Sequence, residues 1–148
     1  MYVIITAFDA TMKRHGFVKQ SGTWYHDSPE TISVANLQKS NFGPLYYVNL
    51  GIWCKALGNA TAPKEEQCPV RVRLGSLVDE SVSRAFDMRE VDITDESRTK
   101  MIGDCVTNVV VPFLRSLETT DQLKHSLKDK KIPGVMVYRA LNEYLGLN

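Results

Sequence analysis

Alternation of apolar and charged residues in one short run is the feature that most constrains the fold of this chain. Val70, Val72 and Leu74 alternate with Arg71 and Arg73. Because successive side chains of a β-strand point to opposite faces of a sheet, this run predicts a strand with one buried and one wet face. A second run alternates in the same way, with Tyr46, Val48, Leu50 and Ile52 on one side and Tyr47, Asn49, Gly51 and Trp53 on the other. The two runs predict an antiparallel sheet whose core lies against one face.

Three further runs rich in β-branched and aromatic residues precede these two strands. They cover residues 17–20, 23–26 and 31–40. Ser21-Gly22 lies between the first two runs and favours a tight hairpin. A sixth strand can be placed over residues 83–91, so the sheet is predicted to be a meander of five to six strands in chain order.

Two segments fit this pattern less simply. Ile32 and Val34 have the opposite parity to Leu37, and a β-bulge near Ala35 is predicted to reconcile them. Residues 58–67 contain Gly, Asn, Pro and several charges, a composition typical of a mobile surface loop.

The apolar period changes to three and four residues at both ends of the chain, which indicates helices. The first helix is predicted to end at His15, with Gly16 in the left-handed position that follows a helix. Near the other end an apolar stripe from Met101 to Leu117 predicts a long helix with Phe113 in the core. Pro112 lies inside the stripe and is expected to bend the helix or restart it.

The C-terminal residues favour two further helices. Thr120-Asp121 can cap a short helix, and the last helix carries Val137 and Leu145. The predicted fold is therefore α+β over residues 1–148 as a single domain. An N-terminal helix and the long helix pack on one face of the antiparallel meander, and residues 119–148 add a C-terminal helical pair.

Composition narrows the class of protein. Hydrophobic residues make up 43% of the 148 residues and charged residues 24%, as in an ordinary globular protein. The spacing of Cys54, Cys68 and Cys105 suits neither a disulfide framework nor a zinc site, so free buried thiols in a reducing, cytoplasmic compartment are expected. No apolar stretch approaches the roughly 18 residues of a membrane span. We therefore expect no membrane partner. A net charge of +1 gives no general electrostatic field that would attract nucleic acid, so no nucleic-acid partner is expected either.

Several short motifs occur in a recognisable order along the chain: Gly16-Phe17, Gly22-Thr23-Trp24-Tyr25, Leu37-Gln38-Lys39-Ser40, Tyr47-Val48-Asn49-Leu50-Gly51, Arg71-Val72-Arg73-Leu74 and Pro112-Phe113-Leu114. In this order they resemble the small bacterial proteins grouped as domain-of-unknown-function family 4304, over roughly residues 4–118. The resemblance implies no established activity, cofactor or catalytic residue. Small bacterial proteins of this type are often immunity proteins, which bind a toxin domain, and this is an association by type.

Arg71 and Arg73 are the first candidates for binding residues. They project from one face of one strand, where two guanidinium groups can grip a carboxylate or a phosphate. The same face is predicted to carry further polar and aromatic side chains, namely Gln38, Ser40, Asn49, Tyr47 and Trp53. Two alternatives stay open. The arginines can lie on a solvated face in surface ion pairs, and the aromatic residues can form a second core layer beneath the last two helices.

The sequence contains no catalytic constellation, phosphate loop or metal motif, and its histidines lie without partners at useful spacing, at His15, His26 and His125. We therefore expect a non-enzymatic protein that has no cofactor and that binds another protein. An immunity-type inhibitor of a toxin domain is a protein of this kind. One alternative is a small-ligand or anion-binding protein or enzyme that uses the Arg71/Arg73 face. Another is a single-stranded nucleic-acid module in which Trp53 and Tyr47 stack with bases. A homodimer is also compatible with the sequence.

Overall fold

A computed structural model describes residues 2–147 and places a six-stranded antiparallel sheet against helices. Neighbouring strands follow chain order throughout, so the sheet is a meander. The strands are β1 (Val18–Gln20), β2 (Thr23–Asp27), β3 (Thr31–Lys39), β4 (Tyr46–Cys54), β5 (Val70–Arg73) and β6 (Met136–Val137). The predicted α+β class and the antiparallel meander are confirmed.

Helices lie at both ends of the chain and between β5 and β6. Within the described residues they are α1 (Tyr2–Arg14), α2 (Glu80–Ser83), α3 (Asp95–Cys105), α4 (Val111–Arg115), α5 (Thr120–Lys128) and α6 (Arg139–Leu145). α3 and α4 belong to one long helical run, joined by a π-helical segment. In the part of the chain that the structure describes, no helix is both long and apolar enough to cross a membrane.

Two local signals set the path of the first elements as predicted. α1 ends before Gly16, whose φ is +87°, and the amide of Phe17 donates to the carbonyl of Met12 with an N···O distance of 3.1 Å. This is the hydrogen bond of a Schellman motif. Ser21 and Gly22 have φ values of 51° and 77°, which is the left-handed geometry of the type I′ turn between β1 and β2.

The main core lies between one face of the sheet and the helices α1 and α3. Phe8 of α1 packs edge to face on Trp24 of β2, with ring centroids 4.8 Å apart. Leu50 of β4 and Val72 of β5 are buried against the same cluster, together with Leu114 of α4. Burial of each of the large side chains contributes about 1.5–3 kcal/mol to stability.

Pro112 interrupts the long helical run without ending it. A proline inside an α-helix removes one hydrogen bond and clashes with the carbonyl four residues earlier. Here the segment Val106–Val110 is π-helical, and Pro112 falls in the first turn of α4, where no amide donor is needed. The wider turn also changes the phase of the helix. Leu114 is therefore fully buried, whereas Phe113, predicted in the core, is only half-buried.

β3 contains no bulge, contrary to the prediction. It pairs with β4 in one unbroken register along its whole length. The mixed parity arises because the first half of β3 is buried on both faces: Ala35 belongs to the main core, and Ile32 and Val34 belong to a second, smaller cluster.

The segment between β4 and β5, of which residues 58–67 were predicted to form a mobile surface loop, packs across the second face of the sheet. Cys68 is fully buried there beside Ile32, and Trp53 is partly buried against the same cluster. Gly51 permits this approach, because a Cβ atom at that position would lie 2.9 Å from the Cβ of Cys68. The C-terminal helices pack elsewhere: Leu141 of α6 belongs to the main core.

The sixth strand is β6, and residues 83–91 do not supply it. Residues 80–86 form α2 and a short 3-10 turn. Arg98 of α3 is only 1% exposed and holds the chain that follows, donating to the carbonyls of Ala85 at 2.7 Å and Glu90 at 2.9 Å. β6 lies between α5 and α6 and includes Val137, which was predicted to lie in the last helix. Met136 of β6 pairs with Arg71 of β5.

Candidate binding surface

Three polar side chains meet on the face of the sheet opposite the main core. Nε of Arg73 donates to Oδ1 of Asn49 at 3.2 Å, and its Nη2 donates to Oε1 of Gln38 at 3.3 Å. Nδ2 of Asn49 donates to the same glutamine oxygen at 2.9 Å. The strand register produces this arrangement, because Asn49 and Arg73 are paired across β4 and β5. Two amide oxygens on rigid strands therefore orient the guanidinium group.

Tyr47 completes this cluster, because the guanidinium group of Arg73 stacks on its ring. Cζ of Arg73 lies 4.2 Å from the centroid of the tyrosine ring, close enough for a cation–π interaction. Among the ion pairs of residues 2–147, none within 4.0 Å includes Arg73, which is exposed. Its positive charge is therefore oriented but not neutralised. We call the set Gln38, Tyr47, Asn49, Arg71 and Arg73 the arginine surface.

Arg71 differs from Arg73 although the two share a face. Its Nε and Nη2 atoms donate to the two carboxylate oxygens of Glu65, at 3.0 and 3.1 Å. The hydrogen bond with Glu65 raises the pKa of Arg71. Because the Glu65 side chain is only 7% exposed, removal of Arg71 would leave a buried carboxylate without its partner. Arg71 thus anchors the segment between β4 and β5, and its own charge is neutralised.

Ser40 and Trp53, which were predicted on the same surface, do not join it. Ser40 is buried in the turn after β3, where its Oγ accepts from the amide of Phe42 at 3.0 Å. Trp53 donates through Nε1 to the carbonyl of Gly58 at 3.3 Å and packs on the second cluster. Trp53 therefore belongs to a second core layer, which was one of the two alternatives. The segment between β4 and β5 covers this layer, whereas the last two helices were expected to cover it. The predicted residues that contact one another are Arg73, Gln38, Asn49 and Tyr47.

Two cavities lie on either side of Arg73. One is an open groove of about 280 Å³ over Arg71 and Arg73, bordered by Glu65 and Met136. The other has a volume of about 210 Å³ and a largely apolar lining, and its residues include Leu45, Tyr47, Val48, Leu74 and Phe86 as well as Arg73. The guanidinium group is thus shared by a polar groove and an apolar pocket.

Two residues that border this region carry little sequence signal. Glu65 lies in the charged run Lys64-Glu65-Glu66, which is typical of a solvated loop. Met136 lies in a segment whose composition gives no alternation long enough to indicate a strand. Neither residue could be assigned to the surface from the sequence alone.

A second polar cluster joins the opposite end of the sheet to the helices. Ser28 donates to the carboxylate of Glu118 at 2.7 Å, and Nδ1 of His26 lies 3.3 Å from the same oxygen. Activation of a serine hydroxyl requires the histidine next to it, whereas here the carboxylate stands between them. Thr31 also donates to the carbonyl of Glu118 at 2.9 Å. The cluster fastens the turn between β2 and β3 to the chain that follows α4.

The three cysteines are unpaired and buried, as predicted. Burial raises the pKa of Cys68 to about 12 and that of Cys105 to about 11. Both are therefore neutral thiols at physiological pH, and a thiolate is the form that reacts or binds metal. Among residues 2–147, no three His, Cys, Asp or Glu side chains lie together in a group suited to a metal ion.

The meander sheet, with helices on one face and an oriented arginine on the other, defines a small α+β protein with an open polar surface. The chain matches the family model described as Domain of unknown function (DUF4304) over residues 8–116, and it belongs to that family. The matched region contains every residue of the arginine surface, whereas α5, β6 and α6 follow it. No curated protein and no solved structure matches the chain.

Proposed function

We propose that this chain is a non-enzymatic binding protein whose arginine surface docks onto an acidic patch of another protein. The observation that carries the proposal is Arg73, which is oriented by Asn49 and Gln38, stacks on Tyr47 and has no carboxylate partner among residues 2–147. A carboxylate supplied by a partner completes this arrangement.

The geometry suits a protein partner for two reasons. An arginine that is already held in place loses little side-chain entropy on binding, and arginine and tyrosine are enriched among the residues that dominate interface energies. Small-ligand sites, in contrast, usually enclose most of the ligand surface. Here Arg73 and Gln38 are both exposed, and the groove beside them is open.

The form of this proposal that we favour is an immunity-type inhibitor, which protects a bacterial cell by binding a toxin domain. Its support is the small size of the chain and the open arginine surface. A toxin gene beside the gene for this chain would favour it, and a gene without any such neighbour would count against it.

The test compares two charge reversals with the same change in net charge. Arg73→Glu alters the arginine surface, whereas Arg14→Glu alters an exposed residue in the last turn of α1, on the other side of the sheet. Each full-length variant is titrated calorimetrically against the toxin domain encoded by the neighbouring gene. We expect Arg73→Glu to weaken binding at least tenfold, which corresponds to about 1.4 kcal/mol, and Arg14→Glu to bind like the wild type.

Thermal melting of both variants provides the control for folding. Arg73 makes only exposed or partly exposed contacts, so its variant should melt close to the wild type. Wild-type affinity of a folded Arg73→Glu variant would show that the interface lies elsewhere. An equal loss in both variants would indicate a general charge effect without any specific role for the arginine surface.

A further inference from the structure

The apolar pocket beside Arg73 is preformed in the chain alone. Its walls come from the ends of β4 and β5 and from the 3-10 turn that carries Phe86. That turn is held from behind by the buried Arg98, which donates to the carbonyl of Ala85 at 2.7 Å. The following residues are also attached to the turn between β3 and β4, because the amide of Met88 donates to the carbonyl of Pro44 at 2.9 Å.

The size and lining of the pocket fit one large apolar side chain. A dry cavity of about 150 Å³ lined by Leu, Ile and Phe is enough to hold a benzene ring. The pocket has a volume of about 210 Å³, and apolar groups of Leu45, Leu74 and Phe86 line it. A phenylalanine or leucine side chain from a partner can therefore enter it and leave the water.

The charge at the edge of the pocket specifies what must lie next to that side chain. Arg73 lines both the apolar pocket and the polar groove, and Tyr47 lies beneath its guanidinium group. The unneutralised charge selects a carboxylate at this edge. The groove extends from Arg73 towards Met136, which leaves room for a partner chain to run through the site and to present the carboxylate of an Asp or Glu side chain.

We propose that the partner docks through a segment in which a large apolar residue is followed directly by an acidic residue. The apolar side chain fills the pocket lined by Leu45, Leu74 and Phe86, and the carboxylate pairs with Arg73. This proposal rests on the proposed function, because it names the chemistry of the acidic patch that the arginine surface binds.

The test uses three capped peptides and the full-length, 15N-labelled chain. The peptides are acetyl-Ala-Phe-Glu-Ala-amide, the same peptide with Gln in place of Glu, and the same peptide with Ala in place of Phe. Each is titrated to about 20 mM, which reveals dissociation constants in the millimolar range. We expect the Phe-Glu peptide to shift the amides of Leu45, Leu74 and Phe86 and to bind at least tenfold more tightly than either of the other two.

Three variants, which either fill the pocket or remove the charge of Arg73, provide the matched controls. A Cβ atom at Gly75 would have no heavy atom within 4 Å, so Gly75→Leu can place a side chain at the pocket without displacing its neighbours. Ser83→Leu, at another residue that lines the pocket, serves the same purpose if Gly75→Leu lowers the melting temperature. Each filling variant should abolish the shifts, as should Arg73→Gln.

The outcomes separate this inference from the proposed function. Equal binding of the Phe-Glu and Ala-Glu peptides, with loss of both in Arg73→Gln, would overturn the pocket while leaving Arg73 as an anchor. The absence of any shift at 20 mM, or shifts confined to another face, would overturn the inference too. The role of Arg73 towards a whole partner protein is decided independently by the charge reversal described above.

Discussion

Replacement of Arg98 by methionine should destabilise the protein although the new side chain is apolar and retains the length of the arginine side chain as far as Nε. Arg98 is 1% exposed, and its guanidinium group donates to four backbone carbonyls, those of Arg84, Ala85, Asp87 and Glu90. Three of these carbonyls retain a backbone donor in the variant, whereas that of Ala85 loses the donor that it has in the structure.

The magnitude follows from opposing contributions. An unsatisfied buried carbonyl costs about 1–3 kcal/mol, and each hydrogen bond to a charged donor is worth about 1.5–3 kcal/mol. The variant recovers the several kcal/mol that desolvation of the guanidinium group costs, and it removes Nε, which is buried without a hydrogen-bond partner in the structure. We expect Arg98→Met to lower the free energy of unfolding by about 2–4 kcal/mol.

Urea denaturation followed by circular dichroism measures this loss, with Arg14→Met as the control. Arg14 is exposed on α1, so the same exchange there should change stability by less than about 0.5 kcal/mol. A loss below about 1 kcal/mol in Arg98→Met would refute the reasoning, because the segment from Arg84 to Glu90 would then hold its conformation without the guanidinium group.

Two further predictions concern the second face of the sheet. The folded pKa of Cys68 is about 12 against an ordinary value of 9.0, so its contribution to stability is complete below pH 9 and is lost as the pH rises towards 12. Between pH 8 and pH 10 this thiol alone should lower the free energy of unfolding by about 1.4 kcal/mol, and urea denaturation of Cys68→Ala should lack that component. Arg71→Met should reduce stability by about 2 kcal/mol and Arg73→Met by less than about 1 kcal/mol, because only Arg71 pairs with the buried Glu65. Equal melting temperatures of the two arginine variants would contradict this distinction.

The elements that sequence alone located are those whose signals are local or strictly periodic. The two-residue alternation of β4 and β5 depends only on which face is wet, and the hairpin and the end of α1 depend on left-handed residues such as Gly16 and Gly22. β3 was also located, but the bulge predicted within it is wrong, because alternation disappears where both faces of a strand are buried. β6 has only two residues, which is too short for any period.

The candidate site shows the same division. Parity placed Arg71 and Arg73 on one face, and chain order placed Gln38 and Asn49 beside them. The distinction between the two arginines depends on Glu65, which reaches Arg71 only because the segment between β4 and β5 folds back over the sheet. The segment folds back because Cys68 packs against the second face of the sheet, and no local sequence pattern in the segment predicts this packing.

The groove over Arg71 and Arg73 is formed by two separate parts of the chain, because β6 contributes Met136 to it. The arginines stand on a strand within the residues that define the family, 8–116, whereas Met136, which borders the groove over them, comes from the part of the chain beyond that region. Substitutions in the final segment can therefore reshape the groove while the scaffold and the charged strand stay the same. Under the proposed function, such substitutions would alter which partner fits the groove without altering Arg73, because the wall of the groove and the arginine come from separate parts of the sequence.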